Sequence, residues 1–150
     1  MRASAMKHLM LLTSLLVLVY ASMSVAHAEQ ASPVQVPVML YVSRSDCRFC
    51  RQLEKDILGP LIRSGIFTDK LVIRYLVLDS SAPLLNFEGE SVSPTSLAEN
   101  YGVKLTPTLL FLDARGKELV PRIVGYQKSD YYAYYVEEAI HTAAALLERR

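Results

Sequence analysis

The chain has no tryptophan, two cysteines and three histidines among its 150 residues, and its basic and acidic side chains nearly cancel to a net charge of +1. Each scarcity removes a class of function. A structural zinc site takes four cysteine or histidine ligands. Outside the N-terminal segment discussed next, the candidates are Cys47, Cys50 and His141, and His141 lies far along the chain in a helical pattern. No metal site is expected. The balanced charge supplies no sequence-wide basic field to draw nucleic acid, so no nucleic-acid partner is expected either. There is no internal repeat or low-complexity tract.

The N-terminus carries a short basic region (Arg2, Lys7), an apolar run from Leu9 to Tyr20 and small residues ending Ala26-His27-Ala28. The run is shorter than the ~20 residues that cross a bilayer core and is followed by an A-x-A exit, the pattern of a cleaved secretory signal. No cysteine stands near that exit to take a lipid anchor. Two parts are therefore expected: a signal peptide over 1–28, and one domain over 29–150 that is exported, periplasmic and soluble. Removing Arg2 and Lys7 with the signal takes the net charge from +1 to about −1.

The cysteines lie two residues apart in "SRSDCRFCRQLEKDI". A chain of this length buries a real core and does not need a staple to fold. A bridge closing so small a loop also removes little unfolded-state entropy. Export would put these thiols in an oxidising compartment, where pairs ordinarily end as disulfides. Of metal ligation, stapling and redox chemistry, the last fits the pair best.

"VQVPVMLYV", from Val34 to Val42, is apolar without a polar face and reads as a strand buried on both sides. After a turn at 43–46, Leu53, Ile57, Leu58, Leu61 and Ile62 recur at helical spacing, so the cysteines sit at a helix entrance. Gly59-Pro60 is expected to kink that helix or end its first part. Lys70–Asp79 reads as a second strand, Ser80–Pro94 as a polar loop, and the following stretch to Gly102 as a short helix capped at Ser93. "TPTLLFLDARGKELVPRIVG" gives a strand, a turn over Asp113–Lys117 and a strand over Glu118–Val124. Ser129–Arg150 reads as a helix with Tyr131, Tyr135, Ile140, Ala144 and Leu147 on one side. This order predicts an α/β fold with a central four-stranded mixed β-sheet flanked by helices.

A Cys-x-x-Cys opening the helix after the first core strand, with "LTPTLLFLDARGKEL" and a Gly-Tyr downstream, resembles the thioredoxin superfamily, and in particular exported bacterial thioredoxin-like thiol:disulfide oxidoreductases. The resemblance runs from about Val36 to Leu147. It implies a thioredoxin-like fold, a cis bond before Pro107, and Thr106 pairing its backbone with an incoming peptide in the manner of an added edge strand. Three features depart from the family pattern. Asp46 stands where a tryptophan commonly precedes the first cysteine. Tyr41 stands where many thioredoxins bury an acidic residue. The extra N-terminal strand and helix of full-length thioredoxins are not evident in the sequence.

Exchange requires one thiolate to attack a disulfide and a second thiol to release the mixed disulfide. Cys47, at the helix N-terminus, is expected to attack, with its thiolate favoured by the helix end and by Arg44, Arg48 and Arg51 against the opposing Asp46. Cys50, one turn inward, is expected to resolve. Arg48 and Phe49 would modulate the pair, and Phe49 has two open readings, a contact offered to partners or a core side chain. No cofactor is expected beyond the Cys47–Cys50 disulfide. The expected partners are protein thiols and disulfides together with a membrane thiol-electron carrier, and the expected state is a monomer. Reduction of protein disulfides is the favoured direction. A disulfide oxidant or isomerase, and a redox-silent binding module of the same fold, are the alternatives.

Overall fold

A computed structural model of the chain describes residues 36–128 and 130–149. The expected signal peptide over 1–28, its cleavage point and the start of the expected first strand lie outside the described residues.

Strand β1 (Val38–Ser43) is the spine of the fold. Parallel to it runs β2 (Val72–Val77), in register from Val38 opposite Val72 to Ser43 opposite Val77. On its other side β5 (Thr108–Leu112) is antiparallel, and β6 (Glu118–Val124) pairs antiparallel with β5 at the edge. The order β2-β1-β5-β6 is the mixed four-stranded sheet that the sequence implies. Alternate residues of β1 and β5 enter opposite cores, which is why both strands read as unbroken apolar runs. Met39, Tyr41, Leu109 and Phe111 join one core, and Leu40, Val42, Leu110 and Leu112 the other.

Behind the first core lie helix α1 (Arg48–Leu53), a π-helical turn (Glu54–Leu58) and α2 (Gly59–Ser64), which run on without a break. Gly59-Pro60 therefore does not end the helix. Proline lacks an N–H and its ring crowds the carbonyl four residues back. The chain widens by one residue ahead of it, and the Gly59 amide donates to Glu54 O in π register. A Cβ at Gly59 would lie 3.0 Å from that carbonyl oxygen, so glycine suits the position. The helix stops at Gly65, whose φ of 68° is left-handed.

The 80–94 segment is more ordered than a polar loop. It contains a small hairpin of β3 (Leu84–Leu85) and β4 (Ser91–Val92). Asn86 Oδ1 accepts the amides of Glu88 and Glu90 at 3.1 and 2.7 Å, and Phe87 packs against Tyr101 with Arg74 over its ring. Two-residue strands are too short to give an alternation, so composition alone reads them as loop. Helix α3 (Pro94–Asn100) is capped by Ser93, whose Oγ accepts the Ser96 amide at 3.1 Å.

Helix α4 (Tyr132–Glu148) buries Tyr132, Val136, Ile140, Ala143 and Leu147. Of the expected face, Ile140 and Leu147 are buried and Ala144 is half-buried, but Tyr131 and Tyr135 are exposed, because the i, i+4 series that meets the sheet starts at Tyr132.

Candidate redox site

The site forms where β1 runs out. Ser43 ends the strand, the chain turns through Arg44–Asp46, and Cys47 takes an extended conformation (φ −81°, ψ 107°) as the N-cap of α1. Its Sγ accepts the Cys50 amide at 3.0 Å, the task a serine or aspartate side chain performs at other helix starts. Cys47 and Cys50 are joined in a disulfide with their Cα atoms 5.2 Å apart. They are not equivalent: Cys47 is half-buried, whereas Cys50 is 1% exposed and belongs to the core. A reduced Cys47 would keep its amide donor at a helix start whose first turn holds no acidic residue. Both features favour a thiolate.

The arginines divide. Arg44 pairs with Asp46 at 3.2 Å, and each cancels much of the other's effect. Arg51 donates to Ser45 O at 3.0 Å and so ties the turn to the helix. Arg48 is exposed, with no ion pair among the described residues. Asp79, just beyond β2, clamps the turn from the other side by accepting both the amide and the hydroxyl of Ser45. Those hydrogen bonds hold its carboxyl below the usual range.

Beneath the pair lies Tyr41, fully buried, with its hydroxyl 3.1 Å from Cys50 O and 3.0 Å from Glu54 Oε1. Burial, followed by the carboxylate of Glu54, pushes this phenol far above its ordinary value. At neutral pH it is therefore a hydrogen-bond donor and not a base. Sequence reasoning identified Tyr41 as a departure but missed its partner. The available signal was Glu54 four residues after Cys50, a spacing that stacks both on one helix face.

The Thr106–Pro107 peptide is cis. Pro107 is buried, its carbonyl accepts the Gly125 amide at 2.7 Å, and the Thr108 hydroxyl donates to Leu105 O at 2.7 Å. The loop is thereby fastened to the end of β6. Thr106 and Phe49 line one groove of about 800 Å³, so the cysteine-bearing helix start and the proline loop meet at a common surface. Phe49 is 54% exposed and so is not a core side chain. The other groove walls, β6 and the first half of α4, had not been identified as part of a site.

Among the described residues no cluster of three or more metal-ligating side chains occurs, and no helix is long and apolar enough to cross a membrane. What the arrangement can do is exchange a disulfide: one accessible, amide-capped sulfur is bonded to one shielded sulfur.

No curated protein matches the sequence significantly. Among solved structures, the DsbH oxidoreductase is 23% identical over 71% of this chain and 74% of its own, with a TM-score of 0.54. A thioredoxin-fold protein from Helicobacter pylori is 18% identical over 76% and 83%, with a TM-score of 0.53. Thioredoxin-2 of the malaria parasite is 17% identical over 69% and 84%, with a TM-score of 0.50. At these identities the likeness concerns the fold. The sequence profile of the thioredoxin-like domain matches residues 25–140, most of the chain. With that match and an intact Cys-x-x-Cys pair, the chain belongs to the thioredoxin-like family as a thiol–disulfide oxidoreductase.

Proposed function

We propose that this protein is exported to the periplasm, loses residues 1–28, and there reduces protein disulfides through Cys47 and Cys50. The observation that carries the reading is the asymmetry of the pair. Cys47 is accessible and capped by an amide, and Cys50 is in the core. In the reduced protein the Cys47 thiolate attacks one sulfur of a substrate disulfide, and the other leaves as a thiolate that takes up a proton. Cys50, losing its own proton, then attacks Cys47 Sγ and expels the substrate's second thiol. The substrate gains two electrons and two protons, and Cys47–Cys50 is left oxidised. A dithiol donor must recharge it, and a membrane thiol-electron carrier suits a compartment without a reducing pool. No step calls for a cofactor beyond the pair. Arg48 favours the Cys47 thiolate, Thr106 pairs its backbone with the substrate, and Pro107 has no amide to compete in that pairing. The protein works as a monomer.

The direction is supported by Thr106 before Pro107, as in exported reductases and isomerases, whereas Arg48-Phe49 matches neither the Gly-Pro of reducing thioredoxins nor the Pro-His of strong oxidants and favours neither direction. The test is the reduction potential, with insulin reduction beside it. A reductase is expected to lie toward thioredoxin's value of about −270 mV, and a potential near about −120 mV would instead mark an oxidant. N-terminal sequencing of periplasmic material should begin at Glu29. Retention of Leu9 to Tyr20 in a membrane fraction would contradict export as a soluble protein.

A further inference from the structure

We infer that two copies of the chain pair antiparallel along the open edge of β2, with Tyr75 of each copy opposite Tyr75 of the other. The two edges of the sheet are built differently. β6 is guarded: Pro121 is exposed in mid-strand, and register shifts interrupt the pairing with β5. A strand with a proline and bulges is a poor template for a further strand. β2 has neither device, and its pairing with β1 runs unbroken from Val72 to Val77. Its one charged residue, Arg74, is committed to the 84–92 hairpin, donating to Leu85 O at 3.0 Å and lying over the Phe87 ring.

The unused backbone groups set the register. The Val72 amide donates to Pro37 O and the Leu78 amide to Ser43 O, so the even-numbered residues of β2 turn their backbone toward β1. Ile73, Tyr75 and Val77 therefore turn their amides and carbonyls to the open side. Among the described residues their only backbone partner there is the Ser80 amide, which donates to Val77 O at 3.1 Å. A twofold axis brings these three residues opposite one another only when it passes by Tyr75, which sets Ile73 against Val77 and Arg74 against Leu76. Centring the pair on Arg74 instead would set two like charges opposite each other, which destabilises a sheet.

The side chains beside this edge suit a second copy. On the face where Tyr75 meets Tyr41, Tyr75 is 51% exposed, and Ile62 and Ile66, in α2 and just past its end, are 51% and 64% exposed. A hollow of about 210 Å³ between α2 and β2, lined by Leu61, Ile62, Phe67, Leu71 and Ile73, belongs to the same patch. Charge favours self-pairing. Lys70 stands before the strand and Asp79 after it, both exposed, so antiparallel pairing brings the Lys70 of each copy beside the Asp79 of the other. A net charge close to zero leaves little repulsion between copies. Cys47, Thr106 and Pro107 lie away from this edge, at the end of β1 and the start of β5, and every copy has its own exchange site. Pairing therefore joins two units that each work alone, and the inference stands apart from the redox reading.

The test is sedimentation equilibrium of the mature protein, oxidised so that no free thiol cross-links it, from micromolar to submillimolar concentration. The natural protein should reach the mass of two chains. Tyr75→Lys and Tyr75→Glu, with the fold checked by circular dichroism, should each weaken association at least about tenfold by setting like charges on the axis. Mixing the two variants should restore a two-chain species, because Lys then faces Glu, and a misfolded strand would not show that rescue. A single-chain mass at every concentration, or a dimer that neither substitution weakens, would overturn the inference. Hydrogen exchange checks the edge without any substitution: the Ile73, Tyr75 and Val77 amides should be protected at high concentration and exchange quickly on dilution. Equal protection at all concentrations would give the edge to a segment of the same chain, and no protection at any concentration would leave it unpaired. Either result would overturn the inference and leave the redox reading intact.

Discussion

The two cores on either side of the sheet are built from alternate residues of the same strands, yet they differ in chemistry. The fully enclosed part of the core against α3 is aliphatic, Leu40, Val42, Leu76, Leu97, Leu110 and Leu112 with Ala98, and its aromatics, Phe87 and Tyr101, pack only at its edge. The core beneath the cysteines contains Tyr41, Tyr126, Tyr132 and Cys50 as well as leucines, and each tyrosine hydroxyl has a partner. A buried hydroxyl left unpartnered costs about 1–3 kcal/mol, so these partners are a condition of placing tyrosine there. They also fix geometry. Tyr41 ties β1 to the cysteine helix, Tyr126 ties the end of β6 to the π-helical turn, and Tyr132 ties α4 to Gly125. The aliphatic core supplies burial, and the tyrosine core supplies burial plus register around the site.

The largest effect that would sharpen this contrast is Leu110→Ala. Leu110 is fully buried in the aliphatic core, and its truncation should cost about 2–5 kcal/mol in denaturant unfolding. Exchange rate per folded molecule should stay unchanged, and a rate that falls in step would break the division of labour. Next comes alkaline unfolding. Burial raises Tyr101 and Tyr132 from 10.0 to about 12 and also raises Tyr75 and Tyr126. A folded value above the unfolded one means the contribution is whole below pH about 10 and is lost as pH climbs toward about 12. Circular dichroism with tyrosinate absorbance should show the buried tyrosines ionising together with fold loss in that window, whereas ionisation of every tyrosine with the fold intact would contradict it. Tyr41→Phe should cost about 1 kcal/mol while slowing exchange, since it frees the helix that holds Cys50. A stability loss with no kinetic change would make Tyr41 a packing residue only. Asp79→Asn is the smallest: an exposed clamp whose loss should loosen the 44–46 turn and lower stability only slightly, because solvent screens it. Because its folded value is depressed, that contribution is present above pH about 4 and fades as pH falls below it. A difference between variant and natural protein that is larger at low pH than at neutral pH would contradict this sign.

Much of the fold was legible because its signals are local. The continuous apolar runs at 38–42 and 108–112 mark strands buried on both faces, and Ser93-Pro94 followed by Gly102 brackets α3. The cysteine pair and Thr106-Pro107 were legible as motifs. What escaped depends on long-range partners. The π-helical turn at Glu54–Leu58 carries the helix past Pro60, where the local rule gives a kink or an end without saying which. At the start of α4, Tyr131 and Tyr132 are alike in sequence and only the sheet decides which is buried, whereas Ile140 and Leu147 farther along lie on the expected face. The Tyr41–Glu54 bond joins a strand to a helix, so the spacing of Cys50 and Glu54 gives their shared helix face but not the strand residue they meet, and the clamp of Asp79 on Ser45 spans 34 residues and leaves no periodic trace.

The central claim, that an accessible capped sulfur attacks and a buried one resolves, is tested most directly by trapping. Cys47→Ser and Cys50→Ser proteins are each reduced, mixed with an oxidised protein substrate and resolved without reductant. Cys50→Ser should accumulate a mixed disulfide through Cys47 that dithiothreitol releases, and Cys47→Ser should trap little or nothing. Equal trapping by the two variants, or trapping through Cys50 alone, would contradict the account.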